Sequence, residues 1–208
     1  MADHVLTPPV TEAQVRALRV GDRVVIEGAL YGIRDATLIH LFDRGRATRF
    51  DLAGHAVIHT APNVRRVPAD AGHPAGYAPV SVGTTTSRRM ERFTRPLMQR
   101  LGVRLIIGKG GLGEDSAACF RTFGGAYLAV VGGAAALETT WIRRIEAVDL
   151  EDLDPECLWR FSVSGFGPLL VTMDAHGGDL HAATSRSARR NRTAALAAAG
   201  VPVEGEEP

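Results

Sequence analysis

Residues 83–90 read GTTTSRRM and residues 106–115 read IIGKGGLGED. Each follows an apolar, β-branched run and opens a helical pattern. The first N–H groups of a helix lack partners inside it, and that end carries partial positive charge, so an anion is welcome there. Thr85, Thr86 and Ser87 add hydroxyls, and Arg89 adds a planar fork suited to a carboxylate. Lys109 lies between Gly108 and Gly110, so its side chain can enter a cleft with little crowding. A third junction, YGIRDAT at residues 31–37, presents Arg34 and Asp35 where a strand gives way to a helix. Each junction also has a plainer reading: an N-cap with solvated arginines, a tight glycine turn, or a helix-start aspartate. Three together favour a shared anion site, because strand ends of an α/β sheet converge on one edge.

The elements that must position these residues are visible in the pattern. TEAQVRALRVGD reads as a short helix with Thr11 as its N-cap, and RVVIEGALYGI as a strand. RDATLIHLFDRG is helical and HAVIHT is a strand, while residues 61–79 are rich in Pro and Gly and read as an irregular connection. Met90, Phe93, Leu97 and Leu101 predict one helix from Ser87 to Gly102, with Pro96 kinking it. VRLII and AYLAVV are strands around a helix over 114–123, and AALETTWIRRI predicts another helix. LWRFSV and PLLVTMD read as two strands, after which HGG turns the chain into DLHAAT as a hairpin. The class is α/β with a mixed sheet, antiparallel in part. Residues 1–184 form the expected domain, and residues 185–208 a loose or partly helical tail.

Composition narrows the function. With 24 Lys and Arg against 23 Asp and Glu, a net charge of +1 gives no electrostatic footprint for nucleic acid or a membrane surface. Cys119 and Cys157 match no zinc or haem spacing, and His55, His59, His176 and His181 show no metal pattern. No run is apolar enough for a signal peptide or a membrane span, which leads us to expect a cytoplasmic protein. Gly108, Gly110 and Gly113 satisfy G-x-G-x-x-G, but the strand after them ends in GGAAAL without the ribose acid of a dinucleotide site.

GIRDA, GTTTSRRM, GKGGLG and FGPLLVTMDAHGG, in that order, resemble the β-type subunit of iron–sulfur hydro-lyases. That family comprises L(+)-tartrate dehydratase β subunits and class I fumarase C-terminal domains. The resemblance implies a swivelling β/β/α fold, and a partner α-type subunit in a heterotetramer or higher heteromer. A four-iron four-sulfur cluster would sit on that subunit's cysteines, with one iron acting as a Lewis acid. This chain would hold neither metal nor cofactor. Arg34 and Arg89 would bind the carboxylates of a small dicarboxylate, with Asp35, Thr86, Ser87 and Gly110 lining the same place. Thr85 would take the proton from carbon. Lys109 would lower the pKa of that threonine or stabilise the developing aci-carboxylate.

Two positions depart from the family pattern. Thr84 stands where GPTT has proline, and Leu38 where RDxxH has histidine. His40 is two residues further on, about 200° round a helix, and does not replace it. A non-catalytic partner of an α-type subunit, or a nucleotide-binding module, therefore remains an alternative to a lyase.

Overall fold

Seventeen elements carry residues 1–201, the part of the chain that the computed structural model describes. In chain order they are β1 (Asp3–Leu6), α1 (Glu12–Arg16), β2 (Arg23–Ile33), α2 (Asp35–Phe42), β3 (Ala56–His59), β4 (Asn63–Arg66) and β5 (Tyr77–Ser81). A 3-10 turn (Arg88–Phe93), α3 (Thr94–Leu101), β6 (Leu105–Gly108), α4 (Glu114–Phe123), β7 (Ala126–Ala129) and α5 (Ala135–Thr140) follow. β8 (Ile142–Asp149), a 3-10 turn (Glu151–Leu153), β9 (Leu158–Met173) and α6 (Leu180–Ala198) complete it.

The main sheet has the order β1-β2-β3-β6-β7-β9-β8. β1, β2, β3, β6 and β7 run parallel, and β9 is antiparallel to β7, β8 and β2. Because β9 pairs with both β7 and β2, the sheet closes on itself. The mixed α/β class expected from the sequence is what forms. Alternation along the strands divides the core: Ile58 and Ile107 face one cluster with Trp159, Phe161 and Phe166, whereas Val57 and Ile106 face a second with Leu38, Phe93 and Phe120. Burial of each such large side chain stabilises by roughly 1.5–3 kcal/mol.

Several local expectations give way to tertiary structure. The Ser87–Gly102 helix is two pieces, a 3-10 turn and then α3, and Pro96 is the third residue of α3. Its missing N–H is one that a first turn leaves unpaired anyway, so it breaks nothing. The AALETTWIRRI helix stops at Thr140, because Ile142 and Ile145 are buried against β9 as strand β8. Residues 61–79 contain the antiparallel pair β4 and β5. LWRFSV and PLLVTMD are one 16-residue strand, whose glycines sit at shifts of register against β2. β1 was not anticipated at all; its backbone pairs with β2 although His4 and Val5 are not buried. HGG does reverse the chain, but for one bridge only, Met173 to Asp179. DLHAAT is not a strand: Asp179 caps α6, its Oδ1 accepting from the Ala182 N–H at 2.9 Å. α6 runs on to Ala198, across position 184, and the last residues of the expected tail, 202–208, lie outside the described residues.

Candidate active site

The parallel strands β2, β3 and β6 end side by side, and Arg34, His59 and Lys109 lie at those ends. GTTTSRRM is stitched onto the same edge by its backbone. The Thr85 N–H donates to the His59 carbonyl at 2.6 Å and the Ser87 N–H to the Lys109 carbonyl at 3.1 Å. Thr60 bridges Thr84, and Thr86 bridges Lys109. All three junctions singled out from the sequence are thereby brought together.

Arg89 grips Asp35 with its fork: Nε lies 2.8 Å from Oδ1 and Nη2 2.8 Å from Oδ2. Arg34 Nε is 3.3 Å from the same carboxylate and 3.3 Å from Glu156 Oε1. The Arg89 hydrogen bond holds the Asp35 carboxyl below the usual carboxylate range, against the opposing effect of burial. Asp35 thus occupies the arginines rather than lining open space. Thr85 and Lys109 are half-buried, and Thr86 and Gly110 are exposed. Thr86 and Gly110 border a cleft of about 690 Å³ that extends towards His181 and the start of α6.

Ser87 differs from its neighbours. It is fully buried, and its Oγ lies 2.9 Å from His59 Nδ1 and 2.8 Å from the Tyr127 hydroxyl. Neither Thr86 nor Ser87 supplies a side-chain cap to the following turn. Burial pushes the Tyr127 phenol up to about 12, so it stays protonated and donates to Ser87. Burial also depresses His59, to about 4, which keeps its ring neutral. In the unfolded chain that imidazole protonates near 6.5, so between 6.5 and 4 the unfolded state binds more protons and stability falls with pH. We expect a loss of about 2 kcal/mol from this group between pH 7.5 and 5. Urea unfolding of wild type and His59→Gln at both pH values checks it, the variant showing a smaller drop.

The glycine loop is packed with side chains of the GTTTSRRM segment. A Cβ at Gly108 would collide with Ser87 Oγ and the Tyr127 hydroxyl, and one at Gly113 with the ends of Arg88 and Glu91. Gly110 has φ +73°, a conformation that favours glycine. These roles account for the fingerprint without a pyrophosphate, which needs open backbone at those positions.

Thr84 also has a role in place of proline. Its hydroxyl donates to Glu138 Oε2 at 2.6 Å, and both side chains are buried. Desolvation raises the Glu138 pKa, and the Thr84 hydrogen bond and the Lys109 charge oppose that shift. The Val82 N–H donates to Thr139 Oγ1 at 2.8 Å, so α5 fixes the loop that carries Thr85. Sequence reasoning missed His59, Tyr127, Glu138 and Glu156. Only His59 left a signal, a polar residue closing a parallel strand at the edge where ligands bind.

Among the described residues no three His, Cys, Asp or Glu side chains converge as metal ligands, and Cys119 and Cys157 are buried in different core clusters. An iron–sulfur cluster does not fit these residues. No helix among the described residues is long and apolar enough to cross a membrane.

Residues 3–184 match the family described as Fumarase C-terminus. The chain belongs to that family. It is 36% identical over 177 residues to the L(+)-tartrate dehydratase subunit beta of Escherichia coli, covering 85% of each chain. A Methanocaldococcus jannaschii protein, provisionally named as the same subunit, is 33% identical over 82% of this chain and 87% of its own. A Geobacillus stearothermophilus protein, provisionally named a class I fumarate hydratase, is 36% identical over 85% of this chain but only 33% of its own length. Within that last relative the fumarase C-terminus unit is one part of a longer polypeptide.

Proposed function

We propose that this chain is the β subunit of a heteromeric iron–sulfur hydro-lyase that removes water from a 2-hydroxy dicarboxylate of the tartrate or malate kind. The observation that carries the proposal is the convergence of Arg34, Arg89, Thr85 and Lys109 on one sheet edge. The family membership and the names of the relatives agree with it.

Elimination of water from such a diacid needs a proton taken from the carbon beside a carboxylate. Negative charge then develops on that carboxylate, and a fixed cation stabilises it. Arg89 binds one substrate carboxylate in exchange for Asp35, and Arg34 closes on the same anion. Thr85 Oγ, held as the alkoxide beside the Lys109 ammonium, accepts the proton and becomes a hydroxyl, and the same ammonium faces the aci-carboxylate. A threonine is a weak base unaided, so a neighbouring cation has a physical purpose. In this proposal the four-iron four-sulfur cluster would be held by the α-type partner and would supply Lewis-acid chemistry for the departing hydroxyl. The same partner makes the assembly a heterotetramer or larger.

Anaerobic co-purification with an α-type subunit, then a dehydratase assay on tartrate, malate and related diacids, tests the reading. A brown complex that turns over one of them is expected; a stable complex that turns over none removes the lyase assignment. Leu38 favours examining a non-catalytic partner too, since a histidine is expected there. Leu38 is fully buried among apolar side chains. Leu38→His is therefore expected to cost about 2 kcal/mol or more in stability, from lost apolar burial and an unpaired ring nitrogen. Thermal unfolding of the two proteins measures it, and a gain of turnover without that loss favours the non-catalytic reading.

A further inference from the structure

Leu38 leaves the Arg34–Arg89 junction without the histidine that the family pattern puts on α2, yet an imidazole is present there. It arrives from β3. Val57 faces the Leu38 cluster and Ile58 the opposite one, so alternation turns His59 back to the side of Leu38. His59 pairs in register with Ile33, next to Arg34. The ring is 1% exposed, and the charges that act on it are those of Asp35 and Arg89.

Its two nitrogens have different fates. Tyr127 donates to Ser87 Oγ, which leaves the Ser87 hydrogen free to point at His59 Nδ1, 2.9 Å away. Nδ1 is then the acceptor and Nε2 carries the ring hydrogen. Nε2 is buried and has no partner among the described residues. An orphaned buried donor costs about 1–3 kcal/mol, and native folds retain few of them. Here three buried side chains from β3, the GTTTSRRM loop and β7 cooperate to present it.

We infer that His59 Nε2–H is a further donor to the carboxylate bound at the Arg34–Arg89 junction, which makes His59 a substrate-positioning residue aligned by Ser87 and Tyr127. The inference rests on the hydroxy-diacid reading and deepens it. In the structure as it stands Asp35 and Arg89 are paired with each other, and theirs are the charges that the ring feels. Arg89 is half-exposed, and a ligand carboxylate that takes its fork displaces Asp35 and gains access to Nε2. The site then offers a planar fork, a second guanidinium and a neutral imidazole donor to one carboxylate. A neutral donor adds direction without adding charge, so it ranks anions by geometry.

Calorimetric titration of the assembled α–β complex with succinate, an unreactive dicarboxylate, tests this separately from turnover. Asparagine places an amide near Nδ1 and glutamine places one near Nε2. His59→Asn is expected to weaken succinate at least tenfold while keeping the Ser87 contact, and His59→Gln to restore it to within about threefold of wild type. The reverse order, or equal losses in both variants, overturns the inference and leaves His59 as packing for Ser87. Histidine 15N spectra of the wild-type complex add a readout that no variant has to survive. A neutral Nε2–H tautomer whose signal moves with succinate is expected; an Nδ1–H tautomer, or a signal indifferent to succinate, overturns it. Succinate binding with no turnover of any hydroxy-diacid would sink the lyase reading while leaving the donor role of His59 measured.

Discussion

Replacing Lys109 by methionine is expected to lower the kcat of the assembled enzyme by about 10²–10³-fold, with a much smaller change in KM. The magnitude is that of deleting one preorganised group facing charge that develops only in the transition state. The split between kcat and KM follows from the same timing, because an interaction absent from the ground state does not contribute to substrate binding. Lys109 is suited to this: it is half-buried at the end of β6, and its carbonyl holds Ser87 N–H so that Thr85 lies in the adjacent strand-like segment. Methionine keeps the apolar stem that passes over Gly132, so packing is retained while the charge is lost. Steady-state kinetics on the substrate found by co-purification checks it. A Lys109→Met enzyme with wild-type kcat removes Lys109 from the chemistry.

Arg89→Ala is expected to raise KM at least tenfold and to lower kcat as well, for a combined loss in kcat/KM of about 10²-fold or more. Bidentate, charge-assisted contacts to a carboxylate are among the stronger polar interactions, so loss of the fork is felt in binding. The fall in kcat has a structural source. Arg89 holds Asp35 through three short contacts, and Asp35 also faces Arg34, so the deletion leaves Asp35 to neutralise Arg34 alone. Arg89→Lys keeps the charge but not the fork, and is expected to recover only part of KM. Michaelis constants for the three proteins decide it; equal KM values in all three would place the substrate carboxylate elsewhere.

GTTTSRRM shows how far local pattern reaches. Its position between a strand and a helix was legible, and so was the pairing of hydroxyls with arginine. What its serine does was not. Ser87 meets His59 across 28 residues and Tyr127 across 40, and neither separation leaves a periodic trace in the chain. The glycine loop carries the same lesson. Its spacing matched a dinucleotide turn, but the reason for Gly108 is the Ser87–Tyr127 pair packed against it. The helix over AALETTWIRRI, which stops at Thr140, and the hairpin expected at DLHAAT have different causes. In the first, burial of Ile142 and Ile145 against β9 outweighs a weak helical preference, whereas in the second the local signals themselves, the Asp179 cap and the Ala-rich run after it, favour a helix that buries none of its residues.

The sequence by itself determined the alternation of strands and helices, the α/β class, and the three junctions with Arg34, Thr85, Arg89 and Lys109. Those properties depend on spacings of two to four residues, which are written along the chain. Only the tertiary structure decided that Asp35 occupies both arginines, that Thr84 is anchored on buried Glu138, and that an imidazole from β3 is turned to the same side of the sheet as Leu38 of α2. Each depends on which strands lie side by side in the order β2-β3-β6-β7. That order is set by burial and hydrogen bonding summed over the whole sheet, so no single segment contains it.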